Sequence, residues 1–109
     1  MTLEDYLRDQ GFELVQRSRD GANRYVLRRN NYLQLWVTWF QDGTIDFTWE
    51  FELGAYLLMK GFTISAQDEL SLLLFPGDEK RGPADPNWLA GEILRMEAEL
   101  GSVDALTGN

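Results

Sequence analysis

The chain has 109 residues and carries 18 acids against 10 Lys and Arg, a net charge of −8, with no cysteine and no histidine. That composition removes disulfides, thiolate and imidazole catalysis and the usual zinc ligands, so any chemistry would rest on carboxylates, Lys, Arg, Tyr or Ser. The length suits one domain burying about two-thirds of the surface its unfolded chain exposes, and fourteen aromatic residues exceed what a disordered acidic chain carries.

Charge is unevenly placed: residues 1–40 sum to +1 and residues 41–109 to −9. Separate basic and acidic zones suit electrostatic steering of a partner, although ordinary solubilising charge reads the same way. The segment Met1-Thr2-Leu3-Glu4-Asp5 lacks a basic flank before an apolar run, and no apolar stretch reaches bilayer-spanning length. The expectation is a cytoplasmic protein with no membrane contact and no cofactor, a monomer or weak homodimer.

In chain order, Thr2 with Asp5 three residues on resembles a capping box, and Leu3, Tyr6 and Leu7 share one helical face, predicting a helix over 3–10 ended by Gly11. Phe12–Ser18, Arg24–Arg29 and Tyr32–Phe40 read as strands, joined by a turn at Arg19-Asp20-Gly21-Ala22 and a two-residue turn at Asn30-Asn31. The cleanest pattern is Thr44–Leu53, where Ile45, Phe47, Trp49, Phe51 and Leu53 alternate with Thr44, Asp46, Thr48, Glu50 and Glu52: a strand with one apolar and one acidic face. A two-residue turn at Asp42-Gly43 would set Trp39 against Asp46. A three-residue turn with Gly43 left-handed pairs Trp39 with Ile45, Val37 with Phe47, Leu35 with Trp49 and Leu33 with Phe51, and is the register expected.

Carried through the Asn30-Asn31 turn, this register pairs Val26 with Leu35 and buries Phe12, Leu14, Val26, Leu33, Leu35, Val37, Trp39 and the odd residues of the central strand. The opposite face then holds Val15, Arg17, Tyr25, Leu27, Arg29, Tyr32, Gln34, Trp36, Thr38, Phe40, Asp46, Thr48, Glu50 and Glu52. Downstream, Gly54–Gly61 and Ser65–Phe75 read as short helices, Pro76–Asp85 as a loop, and Asp85-Pro86 as the start of a last helix that Gly101 stops, leaving 102–109 as a flexible C-terminal tail. The fold class expected is α+β in two layers: a four-stranded antiparallel meander with one helix before it and three after, a single domain over 1–101.

The run Trp49-Glu50-Phe51-Glu52-Leu53-Gly54-Ala55-Tyr56-Leu57, with Phe75-Pro76 and Arg81-Gly82-Pro83 downstream, resembles small acidic proteins of unassigned function encoded by actinobacterial phages. The resemblance covers about the second half of the chain and implies no catalytic residues; a phage origin would place the protein in the host cytoplasm.

Three sets of residues carry candidate chemistry. Asp46, Glu50 and Glu52 share a strand face, with Glu50 and Glu52 about 6–7 Å apart by strand geometry, a spacing open to a carboxylate-dependent hydrolase or a hard cation and equally to charges that protect an edge strand. Tyr25, Tyr32, Trp36 and Phe40 with Arg17 and Arg29 form an aromatic and basic set of the kind used to stack bases or anchor a protein, unless a helix packs over it. Lys80 and Arg81 are a secondary basic spot in the long loop, without the phosphate-loop pattern. The leading expectation is a non-enzymatic module that occludes or recruits a protein partner through Tyr25, Arg29, Tyr32, Trp36, Phe40, Asp46, Glu50 and Glu52. Nucleic acid is a poor fit beside those acids. The alternatives are an acidic mimic of nucleic acid built on Asp42, Asp46, Glu50, Glu52, Glu92, Glu97 and Glu99, a carboxylate- or metal-dependent hydrolase, and a single-strand nucleic-acid binder on the aromatic face that rests on Arg17, Arg24, Arg28 and Arg29 beside Tyr25 and Tyr32.

Overall fold

A computed structural model describes residues 1–61, 73–74 and 80–106. In chain order the elements are α1 (Leu3–Gln10), β1 (Glu13–Arg17), β2 (Asn23–Arg28), β3 (Leu33–Trp39), β4 (Thr44–Glu52), α2 (Leu53–Met59), β5 (Leu73–Leu74), β6 (Lys80–Pro83) and α3 (Pro86–Leu106). All the strands join one antiparallel sheet in the order β1-β2-β3-β4, and the far edge of β4 is shared, with β5 against Phe51 and Glu52 and β6 against Thr44–Phe47.

Local chemistry sets the boundaries. Thr2 and Asp5 cap α1 reciprocally, the Thr2 Oγ1 accepting the Asp5 N–H at 3.1 Å and the Asp5 carboxylate accepting the Thr2 N–H at 3.2 Å. Gly11 closes the helix at φ 93°, a left-handed conformation glycine adopts without a Cβ penalty. At the other end of the chain the Asp85 carboxylate accepts the Asn87 N–H at 3.0 Å and Pro86 opens α3.

The β3–β4 register is the one the alternation demands: Leu33 with Phe51, Leu35 with Trp49, Val37 with Phe47 and Trp39 with Ile45, around a turn in which Gly43 has φ 84°. The β2–β3 register differs by one residue from the expected pairing. Leu27 sits opposite Leu35 and Val26 opposite Trp36. The cause lies in the turn, since a two-residue primed turn needs positive φ at both Asn30 and Asn31, and neither has it. Instead the Asn30 side chain accepts the Tyr32 N–H at 3.0 Å and the Arg29 N–H reaches the Leu33 carbonyl, closing a three-residue loop.

One slip exchanges faces. Tyr25 and Leu27 therefore lie on the core side and Val26 on the other. Leu14 pairs with Tyr25 across a bulge in β1 and, at the sheet's edge, stays exposed rather than buried.

The core is one cluster in which Leu3 and Leu7 of α1, Tyr56 of α2 and Leu89, Ile93 and Met96 of α3 pack against Leu33, Leu35, Val37, Ile45, Phe47, Trp49 and Phe51. Leu35, Ile45 and Leu89 are wholly inaccessible, each contributing about 1.5–3 kcal/mol relative to exposure. The three described helices thus cover one face of the sheet, and none of them packs on the other.

Three expectations downstream of β4 are corrected. The helix expected over Ser65–Phe75 lies outside the described residues except at Leu73 and Leu74, which form β5. Within the expected loop, Lys80–Pro83 is a strand, because β4 offers a row of backbone groups that these residues satisfy. The last helix does not stop at Gly101 but runs to Leu106; a glycine inside a helix costs only about 1 kcal/mol.

Candidate functional site

Alternation puts a continuous set of side chains on the face away from the helices. Cross-strand rows run Arg28-Gln34-Glu50, Val26-Trp36-Thr48 and Arg24-Thr38-Asp46-Arg81, with Glu52 beyond the first row. At its centre the Arg24 guanidinium lies 4.8 Å from the Trp36 ring centroid, and at the β3–β4 turn that of Arg81 lies 4.2 Å from the Phe40 ring. Both are within the range of a favourable cation–π contact. The indole N–H of Trp36 is buried and has no hydrogen-bond partner among the described residues.

Arg81 ties β6 to this surface. Its Nε donates to Thr44 Oγ1 at 3.1 Å, its Nη2 to Asp42 Oδ2 at 3.2 Å, and Nε stands 3.9 Å from Asp46 Oδ1. The hydrogen bonds Asp42 accepts from the Thr44 hydroxyl and backbone N–H, with Arg81 beside it, hold its carboxyl below the ordinary carboxylate range.

The residues singled out from sequence therefore divide. Trp36, Phe40, Asp46, Glu50 and Glu52 share the outer face. Tyr25 packs against the core cluster beneath α1, where burial raises its phenol above its ordinary value, the Glu4 carboxylate adding to the rise and the Arg17 guanidinium opposing it.

Tyr32 stands edge-on to Phe51 and Tyr56 with centroids 5.4 and 5.1 Å away. Arg29 is paired with Glu97 of α3 at 2.5 Å. Arg29 and Tyr32 line a cleft of about 230 Å³ at the α3 end of the sheet, with Phe51, Tyr56 and Met96. The aromatic platform expected on one face is thus split between two.

Lys80 lies on the helix side, beside Phe47, Glu92 and Arg95. β6 pairs with β4 at Asp46 and β5 pairs with it at Glu52, so those two carboxylates do not protect an open edge; Glu50 lies between the two paired segments. Glu92, one of the acids that the mimic reading would present to a partner, is 7% accessible and bonded to Arg95 at 2.9 Å. The sequence reading kept Arg24 and Arg28 off this face because its expected register for β2 was one residue out; the signal for their true placement was their alternation with Tyr25 and Leu27. Among the described residues no three acidic side chains come close enough to hold a metal ion, and no helix is long and apolar enough to cross a membrane. No family model, no curated protein and no solved structure matches the chain.

Proposed function

We propose that the chain is a non-enzymatic protein-binding module that engages its partner through the outer sheet face, with Trp36 and Phe40 as anchors and Arg24, Arg28, Arg81, Asp46, Glu50 and Glu52 around them. The observation that carries this reading is the pair of ring–guanidinium contacts on a face that no described helix covers. Trp, Tyr and Arg supply most binding hot spots because they combine a large desolvated area with directed polar groups. A rim of mixed charge fixes register and excludes wrong partners.

The competing readings have less behind them. Of the carboxylates a nucleic-acid mimic would present, Asp42, Asp46, Glu92 and Glu97 are already within ion-pair distance of this chain's own Arg81, Arg95 and Arg29, which reduces the field available to a basic groove. Base stacking on several rings is opposed by their division between two faces. A hydrolase would need a carboxylate pair with separated proton affinities in a cleft, whereas Glu50 and Glu52 lie on a sheet face.

The test compares wild-type and Trp36→Ala baits in affinity capture from the native host's lysate, with the captured complex mapped by hydrogen exchange. The expected result is a partner that protects β3 and β4 and is lost by the variant. A partner retained equally by Trp36→Ala, or the absence of any partner, would sink the reading.

A further inference from the structure

We propose that the end of the helix-covered face, where Arg17, Asn23, Tyr25, Trp39 and Gln41 meet Glu4 of α1, is a binding site for a neutral carbohydrate of one or two sugar units. It shares only Phe40, at its edge, with the proposed protein-binding face; Trp36, Arg24 and Arg28 take no part in it, and Arg17 and Asn23 take no part in that face, so either reading can fail without the other.

The register builds the site. Arg17 pairs with Asn23 and Asn23 with Trp39, so three side chains from β1, β2 and β3 stand in one cross-strand row on the core side. Tyr25 stands one row inward, and Gln41 enters from the β3–β4 turn. α1 buries Leu3 and Leu7 over the interior of the sheet and reaches this end only with Glu4. Together with Gly21 and Phe40 these groups line an open cleft of about 430 Å³, within the size range of small-molecule sites.

The chemistry of the lining selects the ligand class. Arg17 and Glu4 cancel, so the site has no net charge with which to hold a phosphate or a metal ion. Its amides each donate and accept, its guanidinium only donates, and its carboxylate only accepts. Among the described residues the side chains of Glu4, Arg17, Asn23 and Gln41 make no hydrogen bond and no ion pair, in contrast to Asp5, Arg8, Asp42 and Arg81 nearby, which do.

Tyr25 and Trp39 add aromatic surface that is half-buried in the core cluster and therefore held in place. A neutral ligand that is rich in hydroxyls of both polarities and has apolar C–H faces satisfies that set. A purely apolar ligand would leave the polar groups desolvated and unpaired, at a cost.

The experiment is two-dimensional NMR on the full isotope-labelled chain, titrated with glucose, galactose, mannose, N-acetylglucosamine, maltose and cellobiose to about 20 mM each, with adenosine as the comparator. At least one saccharide should shift both the Trp39 indole resonance and the Asn23 and Gln41 side-chain amides. Arg17→Ala and Asn23→Ala should each weaken that response about tenfold. Arg17 is exposed on an edge strand, so its variant keeps the fold, which the unchanged remainder of the spectrum verifies. Silence from every saccharide, shifts that survive both substitutions, or a response to adenosine alone would overturn the proposal.

Discussion

Gly82 of β6 is a position at which one added carbon atom meets a large, core-packed side chain. It pairs with Ile45 on the core side of the sheet, and the indole of Trp88 from α3 lies directly over it. A Cβ at residue 82 would stand 2.2 Å from Trp88 Cε2, 2.5 Å from Cζ2 and 2.6 Å from Nε1, against 3.4 Å for the near limit of ordinary contact, a shortfall of 1.2 Å at the closest atom. Trp88 is packed against the core, so its ring cannot move that far without disturbing neighbours. Alternatively β6 must lift from β4. Overpacking of this kind costs about 1–3 kcal/mol, equivalent to a fall in Tm of roughly 5–15 °C for a domain of this size.

The assay is a double-mutant cycle by urea unfolding with Gly82→Ala, Trp88→Ala and the pair. With the indole gone, the alanine should be within about 0.5 kcal/mol of neutral, giving a coupling of at least about 1 kcal/mol. An equal cost of Gly82→Ala in both backgrounds would refute the steric reasoning. The substitution also reaches the outer face, because β6 carries Arg81 and its contacts to Asp42, Thr44 and Phe40.

Gly43 makes the opposite case: nothing lies within 4 Å of an added Cβ, yet its φ is +84°. Gly43→Ala should lower stability by about 1–2 kcal/mol through backbone strain alone, visible as a lower urea midpoint with no dependence on any neighbouring substitution.

Stability should fall at both ends of the pH range, read as urea midpoints from acid to alkaline buffer. Asp5, hydrogen-bonded chiefly to the Thr2 backbone N–H, and Asp42, bonded chiefly to Thr44, have depressed proton affinity in the folded state. Their contribution is present above about pH 4 and is lost as pH drops through the depressed values; Thr2→Ala should shrink that acid limb and remove about 1 kcal/mol at neutral pH. Burial raises the phenols of Tyr6 and Tyr25, so the folded chain retains protons that the unfolded chain releases, and stability should decline as pH rises above about 10. A flat alkaline limb would contradict the burial of those hydroxyls.

The β3–β4 hairpin was legible because two independent signals agree on it: strict alternation from Ile45 to Phe51, and a glycine at the one position where a three-residue turn needs positive φ. The β2–β3 hairpin was not, since Asn30-Asn31 suits both a primed turn and a side-chain-closed loop, and the choice depends on whether the Asn30 carbonyl oxygen finds the Tyr32 N–H. β6 carries no apolar alternation to betray it. Lys-Arg-Gly-Pro becomes a strand through the unpaired backbone of β4, a partner more than thirty residues away in sequence, and a local pattern holds no trace of that.

Those two misses together change the character of the outer face. Read from β3 and β4 alone, it holds rings and acids, as Trp36, Phe40, Asp46, Glu50 and Glu52, and calls for a basic partner. With β2 in its observed register and β6 beside β4, Arg24, Arg28 and Arg81 join it. Arg24 and Arg81 then lie against the rings themselves. A face with three guanidinium groups among three carboxylates has little net field to steer a strongly basic surface across a Debye length of about 8 Å at physiological salt. Under the proposed reading, recognition therefore rests on desolvating Trp36 and Phe40 and on matching charges pair by pair. Charge of that kind mainly sets orientation and selectivity, so the partner's complementary surface should be apolar at its centre and mixed in charge at its rim.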